Sequence, residues 1–204
     1  MHVLVGQYDS PFLRRVAVTM HHYGIPYDRE VLSVFRNADQ VAEITPLIKV
    51  PVLYLPDGEK IFDSQMILDY LDEEAGDRAL TPKSGPARRA VLRAVTIGWG
   101  LAEKSVALNI DKNMHANSPS LQWRHRVRHQ IKLCLEWLER ECQAAPWFMG
   151  GDMTQADITV AAALDHVSRR HPTEVDWEKL PKLKAVFDKA LALPCFQAVP
   201  FVEG

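Results

Sequence analysis

The pattern of apolar residues changes near residue 80, and that change restricts the folds open to the chain. Before it, short strand-like runs alternate with stretches of helical period. Val3, Leu4 and Val5 sit in a strand-like run at 2–6. Leu13, Val16, Ala17 and Met20 follow at helical spacing between Pro11 and Tyr23, with Gly24 as a natural stop. A second strand is expected over Tyr27 to Leu32 and a helix around 37–44. Val52 to Leu55, the turn Pro56-Asp57-Gly58, and Lys60 to Phe62 read as a β-hairpin. Ser64 is expected to cap a helix that runs through Glu74, with Ile67, Leu68 and Leu71 inward and Gly76 at its end. The order is β-α-β-α-β-β-α, a parallel βαβ unit extended by a hairpin.

Residues 76–84 are polar, contain Gly and Pro, and read as a linker. Everything beyond reads as helix. One long helix is expected from Pro86 to about Asn113. A second, from Pro119 to Gln143, carries Val127, Ile131, Cys134, Leu135, Leu138 and Cys142 on one stripe. Two more are expected over Thr154 to Arg170 and Pro181 to Leu193. Thr154 and Asp157 have the spacing of a capping box with Asp in the acidic position. The expected organisation is therefore an α/β domain at 1–76 and an all-helical domain at 85–204. At 204 residues and 47% hydrophobic content, the chain has material for both cores.

Charge narrows the function classes. Lys and Arg number 24 against 26 Asp and Glu, a formal net charge of −2, so no overall bias points to nucleic acid or an anionic membrane. No apolar run approaches the roughly 20 residues needed to span a bilayer, and the N-terminus lacks a signal-peptide pattern. Three cysteines with no CxxC argue against a disulfide framework and fit a reducing, cytoplasmic setting. His125 and His129 have the i, i+4 spacing of a metal pair, but Arg124, Arg126 and Arg128 surround them and no third ligand is evident. No metal is expected. Walker, GxGxxG and GxSxG motifs are absent.

What remains is a set of short elements in the first third. Ser10 stands just before Pro11 at the start of a helix, where a hydroxyl and the positive end of a helix dipole coincide. It reads either as a plain N-cap or as a group that stabilises an anion. Val50-Pro51-Val52-Leu53 brings a proline into a strand, which removes one ladder N–H. Asp63-Ser64 opens a helix whose first N–H groups suit a carboxylate, and also reads as a simple capping pair.

These elements resemble the cytosolic glutathione transferase superfamily, most of all its bacterial members with an N-terminal Ser-Pro-Phe motif. The resemblance rests on Ser10-Pro11-Phe12, on Pro46-Leu47-x-Lys49-Val50-Pro51-Val52-Leu53, on Phe62-Asp63-Ser64, and on Gly150-Gly151-Asp152-x-Thr154-x-Ala156-Asp157-Ile158. It covers essentially the whole chain. It implies a thioredoxin-like N-terminal domain (βαβαββα) followed by a helical-bundle C-terminal domain. It implies a homodimer with neither nucleic acid nor membrane as partner, and a transferase of the detoxification kind that joins the glutathione thiolate to a small apolar electrophile. A non-catalytic binding or interaction protein of the same fold is the alternative.

The resemblance also distributes roles. Ser10 would hold the glutathione sulfur as thiolate, with Tyr8 as the rival donor. A free thiol is only about 3% ionised at pH 7; lowering its pKa by two units takes about 2.7 kcal/mol. Pro51 would be cis, with Val50 offering backbone hydrogen bonds to the cysteinyl part. Asp63 and Ser64 would meet the γ-glutamyl end, and Lys49 the glycine carboxylate, with Arg36 a weaker candidate for it. Tyr8, Phe12, Phe35 and Trp99 would line a second-substrate pocket, Trp99-Gly100 leaving room beside an aromatic. Ile48 departs from the pattern, which commonly has glycine there. Thiol–disulfide relatives carry a cysteine where Ser10 stands, whereas the first cysteine here is Cys134. Isomerase relatives usually carry a serine- and cysteine-rich first turn, also absent.

Overall fold

A computed structural model of the chain describes residues 1–115, 117 and 120–202. They fall into two compact units. One comprises Met1–Leu80 together with the segment that begins at Ala192, and the other comprises Thr81–Leu191. The sequence reading assigned everything from 85 to 204 to the second domain and ended the first at 76. In the structure the first unit extends to Leu80 and takes back the tail.

The first unit is built on a four-stranded sheet in the order β2-β1-β3-β4. Strand β1 (His2–Val5) pairs in parallel with β2 (Tyr27–Glu30) and antiparallel with β3 (Val52–Tyr54), which pairs antiparallel with β4 (Lys60–Ile61). Helices α1 (Pro11–Tyr23), α2 (Ala38–Ile44) and α3 (Ser64–Ala75) complete a thioredoxin-like βαβαββα unit. Strand β2 ends at Glu30, two residues earlier than expected. The Gly6 N–H takes the Glu30 carbonyl at 2.8 Å, and Gly6 then turns away at φ 129°, so the ladder does not extend to Val31 and Leu32. Leu4, Val5, Leu13, Val16, Ala17, Met20, Val52, Leu53, Ile67 and Leu71 are all buried and form the core. Gly24 ends α1 in the left-handed region at φ 71°. The Tyr23 hydroxyl donates to Asp72 and accepts the Leu80 N–H at 2.7 Å, which ties the end of the unit to α1 and α3.

Helix α7 (Pro181–Leu191) is shorter than the sequence suggested because Pro194 disfavours helical backbone at Leu193, which is extended at ψ 143°. A short helix α8 (Pro194–Gln197) follows and packs on α1. Arg14 Nε donates to the Val199 carbonyl at 2.9 Å, and its guanidinium lies 5.7 Å from the Phe196 ring centroid. This clamp holds the tail in the first unit.

The second unit is helical: α4 (Gly85–Met114), α5 (Leu121–Glu141), α6 (Gln155–Arg170) and α7. Pro119, the expected start of α5, lies outside the described residues. Ser120 caps the helix instead, accepting the Trp123 N–H at 3.4 Å. The helix stops before Gln143, whose N–H turns back to the Phe148 carbonyl. Every position of α6 from Gln155 to Val167 is buried. Gly98 of α4 permits the close crossing with α6, since a Cβ there would stand 3.1 Å from Val160 Cγ2. All three cysteines are free, and His125 and His129 are exposed.

The start of α6 is a capping box in which Asp157 does more than the motif requires. Its carboxylate accepts the Thr154 N–H at 2.8 Å, the Thr154 hydroxyl at 3.1 Å, and the Phe148 N–H at 2.7 Å from the preceding loop. Asp157→Ala leaves one buried and one half-buried N–H group unpaired and should destabilise the protein by about 2–4 kcal/mol. Urea unfolding followed by circular dichroism measures this, and a loss below about 1 kcal/mol would contradict the role given to Asp157.

A second prediction concerns acid. His166 and His171 are both buried; the ring of His166 meets the Ser105 hydroxyl at 2.8 Å, and that of His171 meets the Ser105 carbonyl at 2.8 Å and the Lys112 ammonium at 2.9 Å. With a carbonyl on one side and an ammonium on the other, His171 is held neutral. Burial lowers both imidazoles, that of His166 to about 3. The unfolded chain therefore binds more protons than the folded one below the ordinary histidine pKa. Stability should be full above pH 6.5 and fall as pH drops toward 3, by at most about 1.4 kcal/mol per pH unit per histidine. His166→Gln should flatten that slope in denaturant titrations run between pH 6 and 4, and an unchanged slope would refute the assignment.

Candidate functional site

The chemistry-bearing residues of the first unit lie where α1 and α3 begin and where β3 is entered. Ser10 is the N-cap of α1, with extended backbone at φ −70°, ψ 119°. Its Oγ accepts the Leu13 N–H at 3.4 Å, so its own proton is left to donate outward. The first turn of α1 holds no acidic residue, so no side chain there neutralises the positive end of the helix. Ser10 is half-buried.

Gly6, which the sequence reading passed over, brings the Ser10 loop against the entry to β3. A Cβ at Gly6 would stand 2.5 Å from Leu13 Cδ1 and 2.9 Å from Val50 Cβ. Only a residue without a side chain lets α1 and Val50 approach so closely, and φ of 129° favours glycine independently. The signal available in the sequence was a glycine closing the strand-like run at 2–6. The Val50–Pro51 peptide is cis. Pro51 is buried, Val50 half-buried and Lys49 exposed.

Asp63, not Ser64, caps α3. Its carboxylate accepts the Gln65 N–H at 2.8 Å and its carbonyl accepts the Ile67 N–H at 3.0 Å. Ser64 is the first helical residue, and the reason for the difference is its side chain: the Oγ is engaged by Arg15 and has none left for the cap. Arg15 Nε and Nη2 donate to Ser64 Oγ at 3.2 and 2.7 Å. Ser64 and Arg15 are each 1% exposed. Desolvation lowers the Arg15 pKa to about 10, and the charge of Asp63 works in the opposite direction; the guanidinium stays charged at neutral pH. Arg15 is the residue of this region that sequence reasoning missed. Its signal was a pair of arginines inside a helix whose other positions from 13 to 18 are apolar.

Tyr8 is buried, its hydroxyl lies 2.8 Å from the Tyr27 hydroxyl, and the Arg29 guanidinium covers its ring at 3.5 Å. As rival to Ser10 it is already committed, and burial beside Tyr8 pushes the Tyr27 phenol above its ordinary value. Phe12 is half-buried in the first turn of α1, and Phe35 is 61% exposed in the turn before α2. Trp99 belongs to α4 of the other unit and is half-buried, and the side-chain position at Gly100 faces open space. Arg36 is exposed.

Residues 4–79 match the glutathione S-transferase N-terminal domain and residues 122–189 the glutathione S-transferase C-terminal domain. An uncharacterized GST-like protein of Escherichia coli, YibF, is 30% identical over 137 residues, 67% of each chain. A maleylacetoacetate isomerase of Pseudomonas aeruginosa is 26% identical over 205 residues, covering 95% of this chain and 93% of its own. Among solved structures, a glutathione S-transferase of Methylobacterium radiotolerans in complex with glutathione sulfonate superposes with a TM-score of 0.92 at 27% identity, covering 100% of this chain and 96% of its own. A glutathione transferase family member of Pseudomonas fluorescens with bound glutathione gives 0.90 at 28% identity over 98% of both chains. The chain belongs to the glutathione transferase superfamily.

Ile48, where glycine was the expected residue, has φ of 49°, the left-handed region that disfavours β-branched side chains. It is also 43% exposed, so its side chain contributes little burial in return. Ile48→Gly should therefore stabilise the protein by about 1 kcal/mol. A thermal melt that falls rather than rises on this substitution would show that the Ile48 side chain outweighs its backbone.

Proposed function

We propose that the protein is a glutathione transferase of the Ser-Pro-Phe type, in which Ser10 holds the glutathione sulfur as a thiolate for attack on a small apolar electrophile. The observation that carries this reading is the Ser10 hydroxyl. One of its two acceptor sites takes the Leu13 N–H, its proton is left to donate, and it stands at a helix start with no acidic residue in the first turn. Solved family members at TM-scores of 0.92 and 0.90 hold glutathione sulfonate and glutathione.

In this reading glutathione lies along the first unit. The Val50 backbone, preceding the cis Pro51, pairs with the cysteinyl portion. Ser64 and the N–H groups at the start of α3 bind the γ-glutamyl carboxylate, Asp63 meets the γ-glutamyl ammonium, and Lys49 meets the glycine carboxylate. The hydrogen bond from Ser10 and the α1 dipole both favour the charged form of the sulfur and lower its pKa. The thiolate then forms a C–S bond with the electrophilic carbon, whose leaving group departs with the bonding pair. The protein supplies proximity and thiolate stabilisation, and glutathione is the nucleophile. Phe12 and Phe35 are the proposed apolar contacts of the electrophile on the first unit. Tyr8 is assigned as a fixed wall and not as the donor, because its hydroxyl is engaged by Tyr27.

A second reading is favoured by the near full-length match to a maleylacetoacetate isomerase. There glutathione would add to the substrate and leave again, so thiol would be regenerated rather than consumed. Ser10 would serve both chemistries in the same way, by stabilising the thiolate. The consumption of free thiol during turnover separates them.

Ultraviolet difference titration of bound glutathione tests the shared step. In the wild type a thiolate band should persist to pH 6–7, about two units below a free thiol, and Ser10→Ala should lose it. A thiol that binds with an unshifted pKa would remove Ser10 from catalysis and leave a non-catalytic binding protein of the same fold.

A further inference from the structure

The least expected group in the first unit is the Arg15 guanidinium. It is 1% exposed and sits on α1 at the position where the helix meets the start of α3. Its hydrogen bonds are confined to one acceptor, the Ser64 hydroxyl, which takes both Nε and Nη2. Nη1 is buried with no partner. Asp63 is the acid whose charge reaches it, but the Asp63 carboxylate is exposed and turned to the Gln65 N–H. A cation so placed is costly to keep: desolvation of a charge is only partly offset by one neutral hydroxyl. A clamp between α1 and α3 alone would be met as well by an apolar residue of similar volume.

The consequence for Ser64 is specific. A hydroxyl has two acceptor sites and one proton. Arg15 fills the acceptor side with two donors, so the Ser64 proton can only be given away. The same contact keeps Ser64 Oγ from turning in to cap its own helix, a task that falls to Asp63. Ser64 is thereby fixed as a donor beside the N–H groups that open α3, with a permanent positive charge behind it. Donors and charge together select an anion over a neutral group.

We propose that Arg15 is a positioning residue for the γ-glutamyl carboxylate: it acts through Ser64, fixing that hydroxyl as a donor and holding a positive charge behind it, and so sets the preference of the site for a ligand that carries this carboxylate. The proposal rests on the glutathione reading above and goes beyond it by assigning the discrimination to a residue that does not touch the ligand.

The test compares two peptides by calorimetry: glutathione, and 4-aminobutyryl-cysteinylglycine, which is glutathione without its γ-glutamyl carboxylate. The wild type should bind glutathione more tightly. Arg15→Lys keeps the charge and loses the fork; it should weaken glutathione about tenfold, the scale of one hydrogen bond to a charged group, and leave the truncated peptide unchanged. Arg15→Met, which removes the charge, should abolish the preference between the peptides while the thermal melt stays cooperative. Equal weakening of both peptides, or of neither, overturns the proposal. So does failure of both variants to fold, since Arg15 would then be a structural residue. Absence of glutathione binding by the wild type is a separate result: it removes the underlying function, and this assignment with it.

Discussion

Helix α1 has almost no solvent-facing surface, and the first unit is arranged around that fact. Ten of its thirteen residues are buried, including two arginines and a threonine. A helix buried nearly all round must be covered on several sides, and here α3 and the returning tail contribute. Each covering contact then restricts its partner. Leu13 leaves no space for a side chain at Gly6. Arg14 takes a carbonyl from the tail at Val199. Arg15 takes the hydroxyl of Ser64. The N-terminal end of this helix carries Ser10, so the same burial that stabilises the unit also fixes the orientation of the helix start.

Much of this was legible in the sequence because its signals are local. Apolar spacing marked α1, α3 and the helices of the second unit, and Thr154 with Asp157 marked the start of α6 before any coordinate was known. What escaped was long-range. The buried arginines look like ordinary helix residues until α3 and the tail are packed against them; nothing within a window of eighteen residues reports a partner 49 or 185 positions away. The tail itself was assigned to the wrong unit for the same reason. The residues beyond the last expected helix were only included in the 85–204 domain, and the contact with α1 shows what they pack on. Ile48 was the opposite case. Its departure from glycine was visible in the sequence, but why glycine suits that position follows from a backbone angle of 49°.

The site residues divide along the same line. Ser10, Pro51, Asp63 and Ser64 could be named because each sits in a short motif whose chemistry is partly intrinsic: a hydroxyl before a proline, a proline entering a strand, an acid and a hydroxyl at a helix start. Their division of labour could not be named. Asp63 and Ser64 are interchangeable as caps on sequence grounds, since either oxygen accepts a helix N–H. Arg15 breaks the tie by occupying the acceptor side of one of them. The residues proposed to meet a second substrate were the least legible of all, because an aromatic residue at helical spacing serves a core and a pocket equally well. Tyr8 illustrates it: its phenol is paired with another phenol and covered by a guanidinium, which makes it a wall.

A common principle links the two serines. Each has its oxygen used as an acceptor by the protein itself, Ser10 by the Leu13 N–H and Ser64 by the Arg15 guanidinium. A hydroxyl in water is ambivalent, able to accept or donate with little preference. The contacts bias each toward donating before any ligand arrives: Arg15 fills both acceptor sites of Ser64, and the Leu13 N–H fills one of the two on Ser10. Two such donors, each at the positive end of a helix, make a surface that favours negative charge at both places. A peptide with a thiolate near one and a carboxylate near the other satisfies both, and a neutral thiol satisfies them less well. On the proposed reading a preference for the ionised sulfur would follow from how the helices begin, and neither helix start would be so fixed if α1 were free to shift.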